Sequence, residues 1–512
     1  MKNKNKYGQY FTIDSIAQFM VQLIQHDKDA RVLEPSCGNG IFLKYLERFS
    51  FSNISAYEID KCLGKDYPYI KYESFVTSPI EPYDVVIGNP PYIRWKNLEQ
   101  ELKSELSNSA LWNRYFNSLC DYLFIFILKS IKQLTDNGEL IFICTEYWMN
   151  TTHSDTLREY MLENGYVSEI YHFKEAPLFD GVSASFVIFR YVKSLKKANY
   201  ITLYKYNQKG EPSYEDLITY TCFDKITIPQ FSKGKRWLLA TQEEQEDLNA
   251  FETKCKRNTK GLFDDEELDC IGNICDIGNG MVSGLDKAFN VSSIQNMNSY
   301  EQNHVINVLK AKDLEQYTYT SKSKYFFIQN SITEVEFKKE CPNVCQHIIN
   351  HKEDLDKRYN YGKNINFWEF VFPRNLSLFS RKEPRIMVPC KERISHKDYF
   401  RFVLADEHYF PLQDVTCLLK KKSCRESIEY ITAYLNNHRV FKWLCYNGIV
   451  KGAIVEFSEK PIASIPYRGI DWKNSHEVEA HDIITTSLRQ YMQTKSSKYL
   501  NEISKQFDYL FI

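Results

Sequence analysis

The feature that most constrains this chain is an apolar strand that ends in a rigid polar loop. Tyr83-Asp84-Val85-Val86-Ile87-Gly88 has the length and composition of a buried strand, and it runs directly into Asn89-Pro90-Pro91-Tyr92. Two consecutive prolines fix two φ angles and remove two backbone donors, so the loop is stiff. It presents one amide and one aromatic ring from the end of the strand. An amide oxygen and a prolyl carbonyl accept hydrogen bonds from a planar amino group, and an aromatic ring stacks on the heterocycle that carries it. Taken alone, the tetrapeptide is equally well a proline-rich surface turn. Its surroundings decide between the two.

Upstream, apolar residues at Ile16, Phe19, Met20, Leu23 and Ile24 predict a helix over 14–25. Ala30 to Glu34 reads as a short strand that opens into Pro35-Ser36-Cys37-Gly38-Asn39-Gly40 and then a helix from Ile41. The glycines let the backbone approach a ligand at the carboxyl end of the strand. The third glycine of a dinucleotide loop and the lysine of a phosphate loop are both absent. Glu34, ahead of the turn, suits a cationic ligand better than a pyrophosphate. A second strand, Asn53 to Tyr57, ends at Glu58-Ile59-Asp60, where an acid can accept hydrogen bonds from ribose hydroxyls. The ligand is therefore a nucleoside carrying a positive, amino-acid-like group, and S-adenosylmethionine has both features. Tyr72 to Val76 reads as the end of a third strand. A helix over 120–134, a buried strand over 139–144, a helix over 154–164 and strands over 167–173 and 184–191 follow, with a loop at 177–183. This alternation predicts an open, doubly wound α/β sheet.

With these residues in order, the segment 7–192 resembles the catalytic domain of the gamma-class amino-group DNA methyltransferases, the adenine-N6 enzymes of restriction–modification systems. The resemblance implies a Rossmann-like doubly wound methyltransferase sheet followed by a C-terminal mixed α+β target-recognition domain. It implies that Tyr10 and Thr12 belong to the segment that holds the cofactor carboxylate, and that Glu34, Ser36, Gly38 and Gly40 form the cofactor loop. Glu58 with Ile59 would take the ribose, Phe75 would pack on the cofactor adenine, and Asn89, Pro90 and Tyr92 would form the catalytic loop, Asn89 also touching the cofactor. Phe179, followed by Val182-Ser183-Ala184, resembles the aromatic that packs on the target base. One position departs. The family carries Asp-Phe at the end of the third strand, whereas this chain has Glu73-Ser74-Phe75, so the acid that holds the adenine amino group is replaced by Ser74 or shifted to Glu73. The implied activity is methyl transfer from S-adenosylmethionine to N6 of an adenine flipped out of duplex DNA, without a metal. The alternative acceptor is another planar amine, a protein glutamine or an RNA base.

A net charge of −1 excludes a uniformly basic nucleic-acid coat, so any DNA-binding charge must be segregated. The 14 cysteines lack a paired framework and read as reduced thiols rather than a zinc site. The longest apolar stretch, Tyr122 to Leu128, is too short to span a bilayer, so a cytoplasmic protein is expected. The expected organisation is a catalytic domain over 1–195, a linker or hairpin excursion over 196–235, and a target-recognition domain over 236–512. That last domain would open near the glycine-rich Ile277 to Phe289 and end in a helical tail from Ala480 to Phe507. Basic groups there, Lys322, Lys324, Arg381, Lys382, Arg385, Lys391, Arg393 and Lys420 to Lys422, are candidates for phosphate contacts. Only about ten residues precede the first motif, so any nuclease is expected to be a separate protein, and the enzyme a monomer.

Overall fold

Nine strands form one sheet in the computed structural model of this chain: β1 (Arg31–Glu34), β2 (Asn53–Tyr57), β3 (Ile70–Lys71), β4 (Tyr83–Gly88), β5 (Leu134–Thr145), β6 (Gly165–Lys174), β7 (Phe186–Lys193), β8 (Tyr200–Tyr206) and β9 (Phe223–Pro229). The structure describes residues 7–174, 176–179, 184–255, 269–320, 323–329, 331–395, 397–451 and 453–512. The lateral order is β3-β2-β1-β4-β5-β7-β6-β8-β9. Strands β1 to β5 pair in parallel, with Val32 beside Val85 and Val86 beside Leu140; β7 is antiparallel to both β5 and β6. Parallel strands are covered on both faces, which explains the unbroken apolar runs: Val85, Val86 and Ile87 are all fully buried.

Helices cover the two faces. On one lie α1 (Asp14–Gln22) and α2 (Ile41–Arg48), whose buried residues share a core with Val32, Val85 and Ile87. On the other lie α3 (Gln100–Asn108), α4 (Ala110–Tyr115), α5 (Tyr122–Gln133) and α6 (Asp155–Asn164), packed with Leu33, Val86 and Leu140. The alternation of side chains along β1 and β4 thus supplies two cores from one strand. Helix α5 is nearly apolar all round, as a helix enclosed between a sheet and other helices must be. Asp121 caps it, accepting from the Leu123 N–H at 3.1 Å.

Two expectations need correction. The third strand is only Ile70–Lys71. From Glu73 onward the chain turns, because the Ser74 hydroxyl accepts from Val76 N at 3.2 Å and the Ser74 carbonyl accepts from Ser78 N. Local side-chain bonding of this kind competes with a ladder. Residues 196–235 form the hairpin rather than the linker: β9 pairs antiparallel with β8, and β8 pairs with β6, extending the sheet, with Ile201, Leu203 and Ile228 fully buried. Just beyond, Trp237 is fully buried, stacked on Phe231 at 4.3 Å and edge-on to Trp148. The chain divides into two compact units after Gln245.

The second unit has its own core around a four-stranded antiparallel sheet, in the order Cys275–Asn279, Val415–Lys420, Arg385–Pro389, Val403–Ala405. Its last segment is two helices, Ser475–Thr494 and Ser497–Phe511, broken at Lys495, which adopts a left-handed φ of 57°. All 14 cysteines are free thiols. Among the described residues no helix is long and apolar enough to cross a membrane.

Several of the basic groups expected to face phosphates are used internally. Arg385 is fully buried and donates to the carbonyls of Phe379, Arg381 and Glu383. Arg381 pairs with Asp276 and Glu383, and Lys421 donates to Gly272 O at 2.6 Å. Lys324, Lys382 and Lys422 are exposed, and Lys322 lies outside the described residues.

Candidate active site

The carboxyl ends of β1, β2 and β4 open onto a cleft of about 650 Å³, open solvent at its mouth included. Of the residues singled out in the sequence, Tyr10, Ser36, Gly38, Glu58, Ile59, Ser74, Phe75, Asn89 and Pro90 line it. Strands that end at one edge of a parallel sheet deliver their following loops to one place, which is why residues up to 80 positions apart converge here.

The Asn89 amide is locked by its donors. Its Nδ2 donates to Tyr10 O at 2.7 Å and to Thr12 Oγ1 at 3.1 Å. These two acceptors fix the amide orientation and tie the N-terminal segment to the strand end. The Asn89 Oδ1 accepts from the Tyr92 hydroxyl at 2.6 Å. Tyr92 is half-buried, and its enclosure pushes the phenol well above its usual range. The Tyr10 ring lies parallel to that of Tyr92, 5.7 Å away at 10°, and edge-on to Phe179 at 6.2 Å. Phe179 is buried, with Phe186 at 4.6 Å. Val182 and Ser183 lie outside the described residues; Ala184 is half-buried.

Two carboxylates stand beside this loop. Glu58 accepts from Gly38 N at 2.7 Å and from Asp60 N at 2.8 Å. Burial raises its carboxyl above the usual range, although these N–H groups favour the charge. Each oxygen retains a lone pair for a hydroxyl donor. Glu34 does not line the cleft. Its side chain is fully buried against Gly88, where an added Cβ would come within 2.3 Å of Oε1. Burial pushes its carboxyl well above the usual range, and Oε2 has no hydrogen-bond partner among the described residues. Gly40 also lies off the cleft: it begins α2 at φ 85°, with the Tyr67 ring where a side chain would stand.

The comparisons with known proteins decide the family. The chain is 45% identical over 512 residues to the Type II methyltransferase M.HindII of Haemophilus influenzae, covering 99% of this chain and 98% of that one. It is 42% identical, with the same coverage, to the Type II methyltransferase M.HincII of Haemophilus influenzae. The chain belongs to the type II DNA methyltransferases of restriction–modification systems. Residues 39–179 of this methyltransferase match the Eco57I restriction-modification methylase family, and residues 1–59 the N-6 DNA Methylase family. Its fold is shared, at a TM-score of 0.61 and 11% identity, with the Type IIL restriction-modification enzyme MmeI solved in complex with DNA; the likeness covers 97% of this chain and 72% of that one.

The methyl donor of the methyltransferase is S-adenosylmethionine, which supplies a sulfonium-activated methyl group. The site fits it. Glu58 suits ribose hydroxyls, and Phe75 and Ile59 offer apolar faces to a base.

Sequence alone did not show that Thr12 holds Asn89 or that Tyr10 covers Tyr92, and it did not show Leu102, Tyr122 and Phe126, which form part of the cleft wall. Tyr122 and Phe126, at i and i+4, read as an ordinary core stripe. Only the arrival of the 73–76 turn beside them turns that stripe into a binding wall.

Proposed function

We propose that this methyltransferase modifies N6 of an adenine swung out of duplex DNA. The observation that carries the proposal is the locked Asn89 amide, whose donors are engaged by Tyr10 and Thr12 and whose oxygen accepts from the Tyr92 hydroxyl. The lone pair of an adenine N6 is delocalised into the ring, so the amine is a weak nucleophile. Hydrogen bonds from its N–H groups to Asn89 Oδ1 and the Pro90 carbonyl draw the nitrogen toward a pyramidal form and stabilise the positive charge that builds on it. Much of the acceleration is positional. The surplus proton leaves after transfer, so no strong general base is required.

The Tyr92 hydroxyl holds the Asn89 oxygen and the Tyr10 ring covers Tyr92, and in the proposal the incoming base displaces both contacts. It then stacks on Tyr92 and abuts Phe179. Unstacking a base costs a few kcal/mol, and stacking on an aromatic side chain returns about 1–3 kcal/mol. In the same proposal the second unit chooses the site, the enzyme acts as a monomer, and a separate endonuclease shares the recognition sequence.

The test is a duplex carrying the recognition site, mapped beforehand by sequencing methylated DNA, with 2-aminopurine in place of the target adenine. Adding the methyltransferase is expected to raise 2-aminopurine emission several-fold, because the base leaves the stack. Emission that stays at the duplex value contradicts the proposal.

A further inference from the structure

Tyr10 stands in the seat proposed for the target base. Its ring lies parallel to that of Tyr92, 5.7 Å away at 10°, and meets Phe179 edge-on, at 6.2 Å and 66°. These are the two relations proposed for the incoming adenine, a stack on Tyr92 and a contact with Phe179. Both separations lie within the roughly 4.5–7 Å of favourable aromatic pairs. Phe186 packs on both partners, 6.2 Å from Tyr92 and 4.6 Å from Phe179. Tyr10 keeps 38% of its surface exposed, against 5% for Phe179 and 1% for Phe186, so it is the outermost ring of the group. The backbone beneath it is held independently. Tyr10 O accepts from Asn89 Nδ2 at 2.7 Å, and the buried Thr12 accepts from the same amide. On the other side Gly8, at φ 67°, lies so close to Ile93 that an added Cβ would come within 2.3 Å of its Cγ1. The segment is thus pinned before and after Tyr10, and only the Tyr10 side chain can leave without unlocking Asn89.

We propose that Tyr10 is a resident mimic of the target base, which holds the base seat until an extrahelical adenine displaces its ring and so sets the threshold for base capture. The proposal rests on the base-flipping reading of the site. Stacking on an aromatic side chain is nearly indifferent to base identity, so an open Tyr92 face would accept any loosened base. A resident ring cancels that indiscriminate part, because the entering base gains on Tyr92 only what Tyr10 gives up. What remains in favour of entry is what a phenol ring cannot imitate. It has the flat face of a base but no amino group for Asn89 Oδ1, which accepts from the Tyr92 hydroxyl at 2.6 Å instead. An adenine takes over the stack and adds hydrogen bonds to Asn89 and the Pro90 carbonyl, so the exchange favours the base that the reaction needs. Rotation of the Tyr10 side chain toward the solvent that its exposed edge already meets vacates the seat, while the Tyr10 carbonyl keeps Asn89 oriented.

The experiment measures DNA affinity of the full chain saturated with S-adenosylhomocysteine, on the mapped recognition duplex and on the same duplex with an abasic analogue at the target position. The ratio of the two dissociation constants reports what insertion of the base contributes. In the wild type, insertion must displace the Tyr10 ring. In Tyr10→Ala, which keeps the carbonyl that holds Asn89, it need not. Tyr10→Ala is expected to shift the ratio by about three- to ten-fold in favour of the base-bearing duplex, the worth of one aromatic pair. Tyr10→Phe keeps the ring and is expected to keep the wild-type ratio. A misfolded fraction cancels between the two duplexes. A Tyr10→Ala ratio that stays unchanged or moves against the base, while the wild type raises 2-aminopurine emission, overturns the proposal and leaves base flipping in place. Emission at the duplex value for both the wild type and Tyr10→Ala overturns the base flipping beneath it.

Discussion

Asn89→Ala is expected to lower methyl transfer by about 10³-fold, at the upper end of what removal of one preorganised hydrogen-bond partner costs. Alanine removes the oxygen that receives the amine and also the Nδ2 that donates to Tyr10 O and Thr12 Oγ1. The second loss loosens the segment lining the cofactor cleft, so cofactor affinity should fall too, but only by the few-fold that one or two exchanged hydrogen bonds are worth. Turnover and cofactor binding therefore separate. Asn89→Asp sharpens the contrast: it keeps two acceptor oxygens while setting one against Tyr10 O, so it too should lose turnover. Single-turnover rates with saturating cofactor measure the first effect and calorimetry the second. A rate within ten-fold of the wild type contradicts the role given to Asn89.

How far this site was legible in the sequence depends on the distance over which each residue acts. Asn89, Glu58 and Glu34 sit at strand ends, where burial run, turn and side chain are adjacent in sequence; Asn89 and Glu58 line the cleft, whereas Glu34 is buried against Gly88. The bonds of Tyr10 and Thr12 to Asn89 span 79 and 77 residues, and no local pattern encodes them. The nine-stranded sheet was legible as far as β7. Strands β8 and β9 were legible only as a hairpin alternative to a linker, because Thr202, Lys205, Asp224 and Lys225 give this edge hairpin a polar composition, and only the alternation of Ile201 and Leu203 marks its buried side.

Arg385→Met is expected to destabilise the second unit by about 3 kcal/mol or more, at roughly 1–3 kcal/mol for each buried carbonyl left unpaired. The sequence offered Arg385 as one of a cluster of phosphate-binding cations. The structure buries it fully, on a strand between Val415–Lys420 and Val403–Ala405, with donors to Phe379 O at 2.8 Å, Arg381 O at 2.6 Å and Glu383 O at 3.3 Å. Burial lowers the guanidinium pKa, as expected for a cation paired with carbonyl dipoles rather than a carboxylate. Methionine fills the volume but leaves those carbonyls without partners. Urea unfolding should show the loss, while the salt dependence of DNA affinity at a temperature where the variant is folded should not change. A phosphate contact predicts the opposite pair of results: unaltered stability and a salt slope smaller by about one. Lys382, exposed three residues earlier, is the better candidate for that behaviour.

The central claim is the identity of the acceptor. The measurement that tests it most directly is transfer of label from methyl-labelled S-adenosylmethionine to duplex DNA, followed by digestion to nucleosides and chromatography. The account predicts that the label co-elutes with N6-methyl-2′-deoxyadenosine and disappears with Asn89→Ala. Label in a methylated cytosine, or none in DNA while the protein binds its cofactor normally, would contradict it.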